Sequence, residues 1–165
     1  MHRSYLTSGA LAAAVLADIV EKASGGKVRG FATNVSNYNA FHAEAPESFA
    51  EDNPSYDESS YVATLTPALE AQGLPSRFII DQGRVAVPGA RDSSGDWCNV
   101  EAGFGQPATT ETDNANVDSI VWVKPGGESD GECGMEGAPA AGTWFDAYAQ
   151  TLTINAHPDI KSGST

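Results

Sequence analysis

Val121-Trp122-Val123-Lys124-Pro125-Gly126-Gly127-Glu128-Ser129-Asp130-Gly131 runs an apolar segment straight into a lysine, a turn and two closely spaced carboxylates. In an open α/β sheet, functional side chains gather at the carboxyl ends of the strands, where the chain turns over the sheet. Read that way, Val121, Trp122 and Val123 form a buried strand and Lys124 stands at its carboxyl end. Pro125-Gly126-Gly127 then swings Glu128 and Asp130 over the mouth of the sheet. The implied chemistry is that of carboxylates.

Working outward from this segment, helical and extended patterns alternate. Strands are expected over 29–35, 77–81 and 119–124. Between the first two, Ser55-Tyr56-Asp57-Glu58 has the form of a capping box and opens a helix that ends near Gln72-Gly73 despite Pro67 inside it. Upstream, Leu11, Val15 and Ile19, with Leu16 and Val20, recur at helical spacing; Thr7 or Ser8 would cap that helix and Gly25-Gly26 would stop it. A competing reading takes Met1-His2-Arg3 and the apolar 11–17 run as a signal peptide. Residues 82–116 are rich in Gly, Asp and Thr and lack helical period, which reads as large active-site loops. A closing helix over 143–156 would carry Trp144, Tyr148 and Leu152 on one stripe. This order implies an α/β fold with a parallel sheet. Three strands are few for one, so the strand beginning near Arg29 should present an unpaired edge that invites self-association.

Composition narrows the partners. The chain has 165 residues, 41% of them apolar, enough for one domain with a core. Twenty-two acidic against nine basic residues leave a formal charge of −13, which repels nucleic acid and anionic lipid surfaces while leaving neutral ligands such as sugars open. No apolar run approaches the roughly 20 residues that span a bilayer, so no membrane partner is expected. His2, His42 and His157 have no mutual spacing suited to a metal site, and neither metal nor cofactor is expected. Cys98 and Cys133 allow two readings, a bridge in an oxidising compartment or two free thiols in a cytosolic protein.

Single residues also carry bland readings. Asp130 in a Gly-rich turn is by itself most often a turn residue. Trp122 and Trp144 read as core, and only Trp97 as a ligand contact. Asp96 and Asp81 sit at strand or loop ends, where capping and ion-pairing are the default, with Arg84 and Arg77 as candidate partners of Asp81; their role stays open.

Four segments, taken together and in order, change the weighting. Thr33-Asn34-Val35-Ser36-Asn37-Tyr38-Asn39-Ala40, Asp81-Gln82-Gly83-Arg84, Gly95-Asp96-Trp97-Cys98-Asn99 and Val123-Lys124-Pro125-Gly126-Gly127-Glu128-Ser129-Asp130-Gly131 resemble glycoside hydrolase family 6, the cellobiohydrolases and endoglucanases. The resemblance runs from the first helix to Pro158 and matches only the C-terminal half or so of that family's catalytic domain. It implies that residues 1–165 are a single partial domain, an incomplete portion of a distorted, TIM-like α/β barrel with parallel strands. It also implies a β-1,4-glucan substrate, cellulose or cello-oligosaccharide, cleaved with inversion at the anomeric carbon. Carried over position by position, Asp130 matches the proposed catalytic base and Arg84 an arginine near the active-site carboxylates. Lys124, Glu128 and Asn37 match residues that contact the sugar chain, and Trp97 a stacking platform. The matching cysteines form a disulfide in the family, so a Cys98–Cys133 bridge and a secreted, extracellular protein are implied. The family's general acid lies upstream of the first residue. A second reading therefore stands beside the enzyme: a truncated, inactive fragment that binds glucan through Trp97, Lys124 and Glu128 without cleaving it.

These residue types suit the chemistry on physical grounds as well. Inverting hydrolysis needs one carboxylic acid to protonate the leaving oxygen and one carboxylate to activate water from the opposite face, the two roughly 6.5–9.5 Å apart. A pyranose offers an apolar face that an indole can cover and a rim of hydroxyls for lysine, glutamate and asparagine. Cations within about 4–6 Å of Asp130 would hold it ionised, as a base requires.

Overall fold

Phe78–Asp81 is the middle strand, β2, of a three-stranded parallel sheet, flanked by β1 (Phe31–Thr33) and β3 (Val117–Val121). The computed structural model describes residues 9–23 and 27–161. Met1-His2-Arg3, the expected caps Thr7 and Ser8, and the Gly25-Gly26 stop lie outside them. β1 aligns Phe31, Ala32 and Thr33 with Phe78, Ile79 and Ile80. β2 and β3 shift register between Phe78 and Ile79, so that Ile80 faces Ile120 and Asp81 faces Val121. The α/β order expected from the sequence is the one found. Its strands are shorter, and β3 starts and ends earlier than expected.

Both differences have local causes. β1 stops where Asn34 and Ser36 adopt left-handed backbone angles, φ 57° and 60°. β3 ends at Val121, so Trp122 and Val123 are not buried strand residues. Trp122 is 40% exposed, with its ring stacked on Phe104 at 5.6 Å and its indole N–H donating to the Gln106 carbonyl. An apolar triplet reads as buried strand, but a partly covered aromatic surface meets the same pattern.

Helix α2 (Glu58–Glu70) is the crossover between β1 and β2, and lays Val62, Leu65 and Leu69 against Phe78, Ile80, Val117 and Ile120 of the sheet. Pro67 is tolerated inside it because it sits on the exposed side, where the Ala63 carbonyl it leaves unpaired meets solvent. The capping box lies two residues later than expected. Asp57 is the N-cap, accepting the Ser60 N–H at 2.8 Å while its own N–H donates to Ser60 Oγ at 3.2 Å. Ser55 pairs instead with Thr64, hydroxyl to hydroxyl, and Glu58 turns inward to Asn39.

Helix α1 (Gly9–Lys22) packs on α2 through Ala13, with Ala12 and Leu16 partly covered, while Leu11, Val15 and Ile19 remain about half exposed. α3 (Asp146–Ile154) begins three residues later than expected and buries Tyr148 and Leu152. Trp144 precedes the helix and is 59% exposed, so it is not a core residue; its backbone pairs with Glu128 in an isolated antiparallel bridge. A single short turn, α4 (Pro158–Lys161), follows. Residues 82–116 hold no strand or helix, as expected of loops, and Thr109 makes one antiparallel bridge to Ile120. Strand order places β1 and β3 at the two edges, and among the described residues no strand flanks β1 on its outer side.

Candidate active site

The segments that leave the carboxyl ends of β1, β2 and β3 converge on one carboxylate, Asp130. Its side chain is 8% exposed and forms an ion pair with Arg84, whose own side chain is 1% exposed, at 2.8 Å. Three donors meet at Asp130 Oδ2: Arg84 Nη1 at 2.8 Å, the Tyr38 hydroxyl at 2.9 Å and the Asn99 backbone N–H at 3.0 Å. Oδ1 is treated differently. Lys124 Nζ lies 3.7 Å from it, and among the described residues no hydrogen bond reaches it. Lys124 also lies 3.6 Å from Glu128 Oε2.

The electrostatics follow from that geometry. Burial pushes the Asp130 carboxyl up, but the hydrogen bond and charge of Arg84, then the Asn99 N–H and the Tyr38 hydroxyl, outweigh it and hold the group below its ordinary value. Burial raises the Tyr38 hydroxyl well above its ordinary value, so Tyr38 stays protonated and donates to Asp130. Arg84 is itself held at both terminal nitrogens, while its buried Nε has no hydrogen-bond partner among the described residues. Its guanidinium lies 4.6 Å over the Tyr38 ring, donates to the Tyr148 hydroxyl at 3.1 Å and to the Ser36 carbonyl at 3.1 Å. Tyr148 in turn donates to the Val100 carbonyl at 3.0 Å.

Asn99 holds Asp130 from two sides. Its left-handed backbone, φ 50°, aims its N–H at Asp130 Oδ2, while its side-chain oxygen accepts the Asp130 N–H at 2.8 Å. The same amide donates to the Gly131 and Cys133 carbonyls at 3.0 and 2.8 Å. Cys98 and Cys133 form a disulfide, Cα atoms 5.9 Å apart, that fastens the Trp97 loop to the Asp130 loop. Ser129, fully buried, closes the turn from within: its single hydroxyl proton goes to the Pro139 carbonyl at 2.8 Å, and its oxygen accepts the Gly131 N–H at 3.1 Å. Gly127 adopts φ 91°, and any side chain there would run into the Trp144 indole.

The structure thus gathers Arg84, Lys124, Glu128 and Asp130 at one point. Trp97, two residues before Asn99, is 55% exposed and carries an accessible indole. Asn37 adjoins Tyr38, and its side-chain oxygen accepts from the Tyr38 N–H at 2.9 Å and from Arg91 at 3.3 Å. Asp81 pairs with neither Arg84 nor Arg77: Arg84 is taken by Asp130, Arg77 lies 3.9 Å from Asp118, and the Asp81 carboxylate accepts backbone N–H groups instead. Tyr38, Asn99 and Tyr148 escaped the sequence reading as site residues. The first two sit inside quoted motifs, and Tyr148 looks like core because it lies on the apolar stripe of α3. Among the described residues, no group of three or more His, Cys, Asp or Glu could hold a metal ion.

Comparison with known proteins identifies the family. The family model for glycosyl hydrolases family 6 matches residues 4–156. The chain belongs to glycosyl hydrolase family 6. Among family 6 relatives, the probable exoglucanase GH6D of Podospora anserina is 60% identical over 146 residues, covering 87% of this chain and 34% of its own length. Endoglucanase-6B of Humicola insolens is 59% identical over 147 residues, covering 88% of this chain and 42% of its own length. The solved structure of endoglucanase CEL6B from Humicola insolens superposes with a TM-score of 0.87 at 58% identity, covering 92% of this chain and 45% of that one. Cellobiohydrolase II (Cel6A) from Humicola insolens, in complex with glucose and cellotetraose, superposes at 0.84 with 42% identity, over 90% of this chain and 46% of that one. The chain therefore spans less than half the length of these family 6 relatives.

Proposed function

We propose that this chain is the base-bearing, C-terminal part of a family 6 cellulase catalytic domain, an incomplete portion of a TIM-like barrel that hydrolyses β-1,4-glucosidic bonds in cellulose with inversion. One observation carries the reading: Asp130 is held by three donors on Oδ2, while Oδ1 lies 3.7 Å from the Lys124 ammonium and accepts no hydrogen bond among the described residues. A carboxylate fixed on one oxygen and open on the other can take a proton from water without moving. Arg84 and Lys124 keep it ionised for that step. The general acid belongs to the part of the family fold that this chain does not span, where it would protonate the leaving oxygen from the opposite face.

Substrate contacts follow the same logic. Trp97 covers the apolar face of a pyranose, and Lys124, Glu128 and Asn37 bond its hydroxyl rim. Curated family 6 relatives are named as exoglucanases, endoglucanases and 1,4-β-D-glucan cellobiohydrolases, which supports a β-1,4-glucan. We place the protein outside the cell, because the Cys98–Cys133 bridge persists in an oxidising compartment. The test joins this chain to the acid-bearing part of a family 6 relative and follows the anomer of the released sugar by NMR. Inversion, with a loss of about 10²–10⁴-fold in rate for Asp130→Asn, is expected; retention would exclude the mechanism.

A second reading is favoured by the limited span relative to its relatives: the chain alone binds glucan without cleaving it. Titration of the joined protein with cellotetraose separates the two, since binding without turnover selects the second and turnover the first.

A further inference from the structure

Asp81 closes β2 and is 3% exposed, yet no cation among the described residues pairs with it. Its carboxylate is satisfied by four backbone N–H groups. Oδ2 accepts from Ser36 at 3.2 Å and Lys124 at 3.1 Å, and Oδ1 accepts from Gly83 at 3.0 Å and Val123 at 3.3 Å. A carboxylate offers about four lone-pair directions, and here all are used. The four donors come from three different places: the segment after β1, the turn after β2 and the segment after β3. One buried anion therefore ties together the exits of all three strands.

Those exits carry the two cations that face Asp130. Gly83 immediately precedes Arg84, the Lys124 N–H belongs to the lysine itself, and the carbonyl of Ser36 receives Arg84 Nη2 at 3.1 Å. Asp81 touches neither Asp130 nor either cationic head, but it holds the backbone from which both cations extend. A shift of its hydrogen bonds would move Arg84 and Lys124 with respect to Asp130 together. An asparagine cannot replace it, because its amide group would point N–H at N–H on one side and lose the charge that strengthens all four bonds.

We propose that Asp81 is a positioning residue for the candidate base: it locks the Arg84 and Lys124 backbones so that their charges hold Asp130 ionised. The proposal rests on the reading of Asp130 as the base and explains how that state is built from a residue outside the reacting cluster. A merely structural anchor would change stability without changing the proton affinity of Asp130.

The experiment is a carboxyl NMR titration of Asp130 in the 165-residue chain, wild type against Asp81→Asn, with the Tyr148 and Leu152 signals reporting an intact core. The expected result is a rise in the Asp130 midpoint of about one pH unit in the variant, tenfold in proton affinity. An unchanged midpoint in a folded variant overturns the proposal. An ordinary wild-type midpoint would instead sink the reading of Asp130 as a base held ionised, while the difference between the two chains still judges Asp81. If Asp81→Asn does not fold, hydrogen exchange of the wild type decides: the Ser36, Gly83, Val123 and Lys124 amides should open with one shared protection factor. Four unrelated values would refute the common anchor.

Discussion

At the scale of single residues, two buried carboxyls are handled in opposite ways. Asp130 is paired, so its folded-state proton affinity is depressed, and the stability it contributes is present above the unfolded carboxylate value, about 3.9, and lost as pH falls through the folded value. Replacing Arg84 by Met would strand that charge in a buried site, and a loss of about 3–5 kcal/mol in urea-determined stability at pH 7 is expected. The double variant Arg84→Met, Asp130→Asn should recover part of the loss; no recovery would mean that Arg84 acts by packing on Tyr38 alone. Glu58 goes the other way. Burial, the dominant cause, raises its folded-state value; the Asn39 hydrogen bond at 2.9 Å and the nearby Thr33 hydroxyl offset it only in part, and among the described residues Oε2 has no hydrogen-bond partner of good geometry. A proton on Oε2 supplies the missing donor. Its contribution is therefore full below the unfolded value, about 4.3, and lost as pH rises through the folded value. Glu58→Gln should flatten the decline in melting temperature between acid and neutral pH, and an unchanged slope would show that Glu58 is ionised in the fold.

At the scale of elements, the helix that bridges β1 and β2 depends on its first turn. Asp57 accepts both the Ser60 N–H at 2.8 Å and the Ala43 N–H at 3.0 Å, so Asp57→Ala leaves two donors without their acceptor. A cost of about 1–2 kcal/mol is expected, read as a lower urea midpoint with an unchanged slope, whereas Ser55→Ala, which removes no cap, should cost less. That the cap is Asp57 rather than Ser55 illustrates what a linear pattern carries and what it does not. Apolar runs announced all three strands and their parallel order, because burying Phe78, Ile80, Val117 and Ile120 needs those side chains whatever the loops do. Exact ends depended on neighbours. Trp122 left the strand for Phe104, and Trp144 stayed outside α3 against Gly127. In the site, Asp130, Arg84 and Lys124 were legible as charged residues in motifs. The Asp81 anchor was not, since its partners are backbone N–H groups that every residue but proline owns, and Tyr148 was hidden by a stripe that also spells core.

At the scale of the molecule, the disulfide and the open edge set the balance between order and association. The Cys98–Cys133 bridge closes a separation of 35 residues and spans the two loops that meet at Asp130, so its reduction should cost about 3–4 kcal/mol in the chain-entropy model and loosen Trp97 and Asp130 together. A thiol titration with and without denaturant, followed by unfolding of the reduced chain, measures it. Among the described residues, the uncovered surfaces include the outer side of β1, which no strand flanks, and the Leu11, Val15 and Ile19 stripe of α1. Unpaired strand edges and apolar stripes draw copies of a chain together. The formal charge of −13 opposes this, because like-charged copies repel over a Debye length of about 30 Å at 0.01 M salt but only about 10 Å at 0.1 M. Association should therefore grow with salt, the reverse of an ion-paired interface. Light scattering at tens of micromolar protein, a range in which exposed edges cause association, should show a monomer at low salt and dimers or larger species as salt is raised. Leu11→Lys with Val15→Glu should restore the monomer without loss of the fold. A chain that stays monomeric at every salt concentration would mean that α1 and the β1 edge are protected in a way their exposure does not reveal.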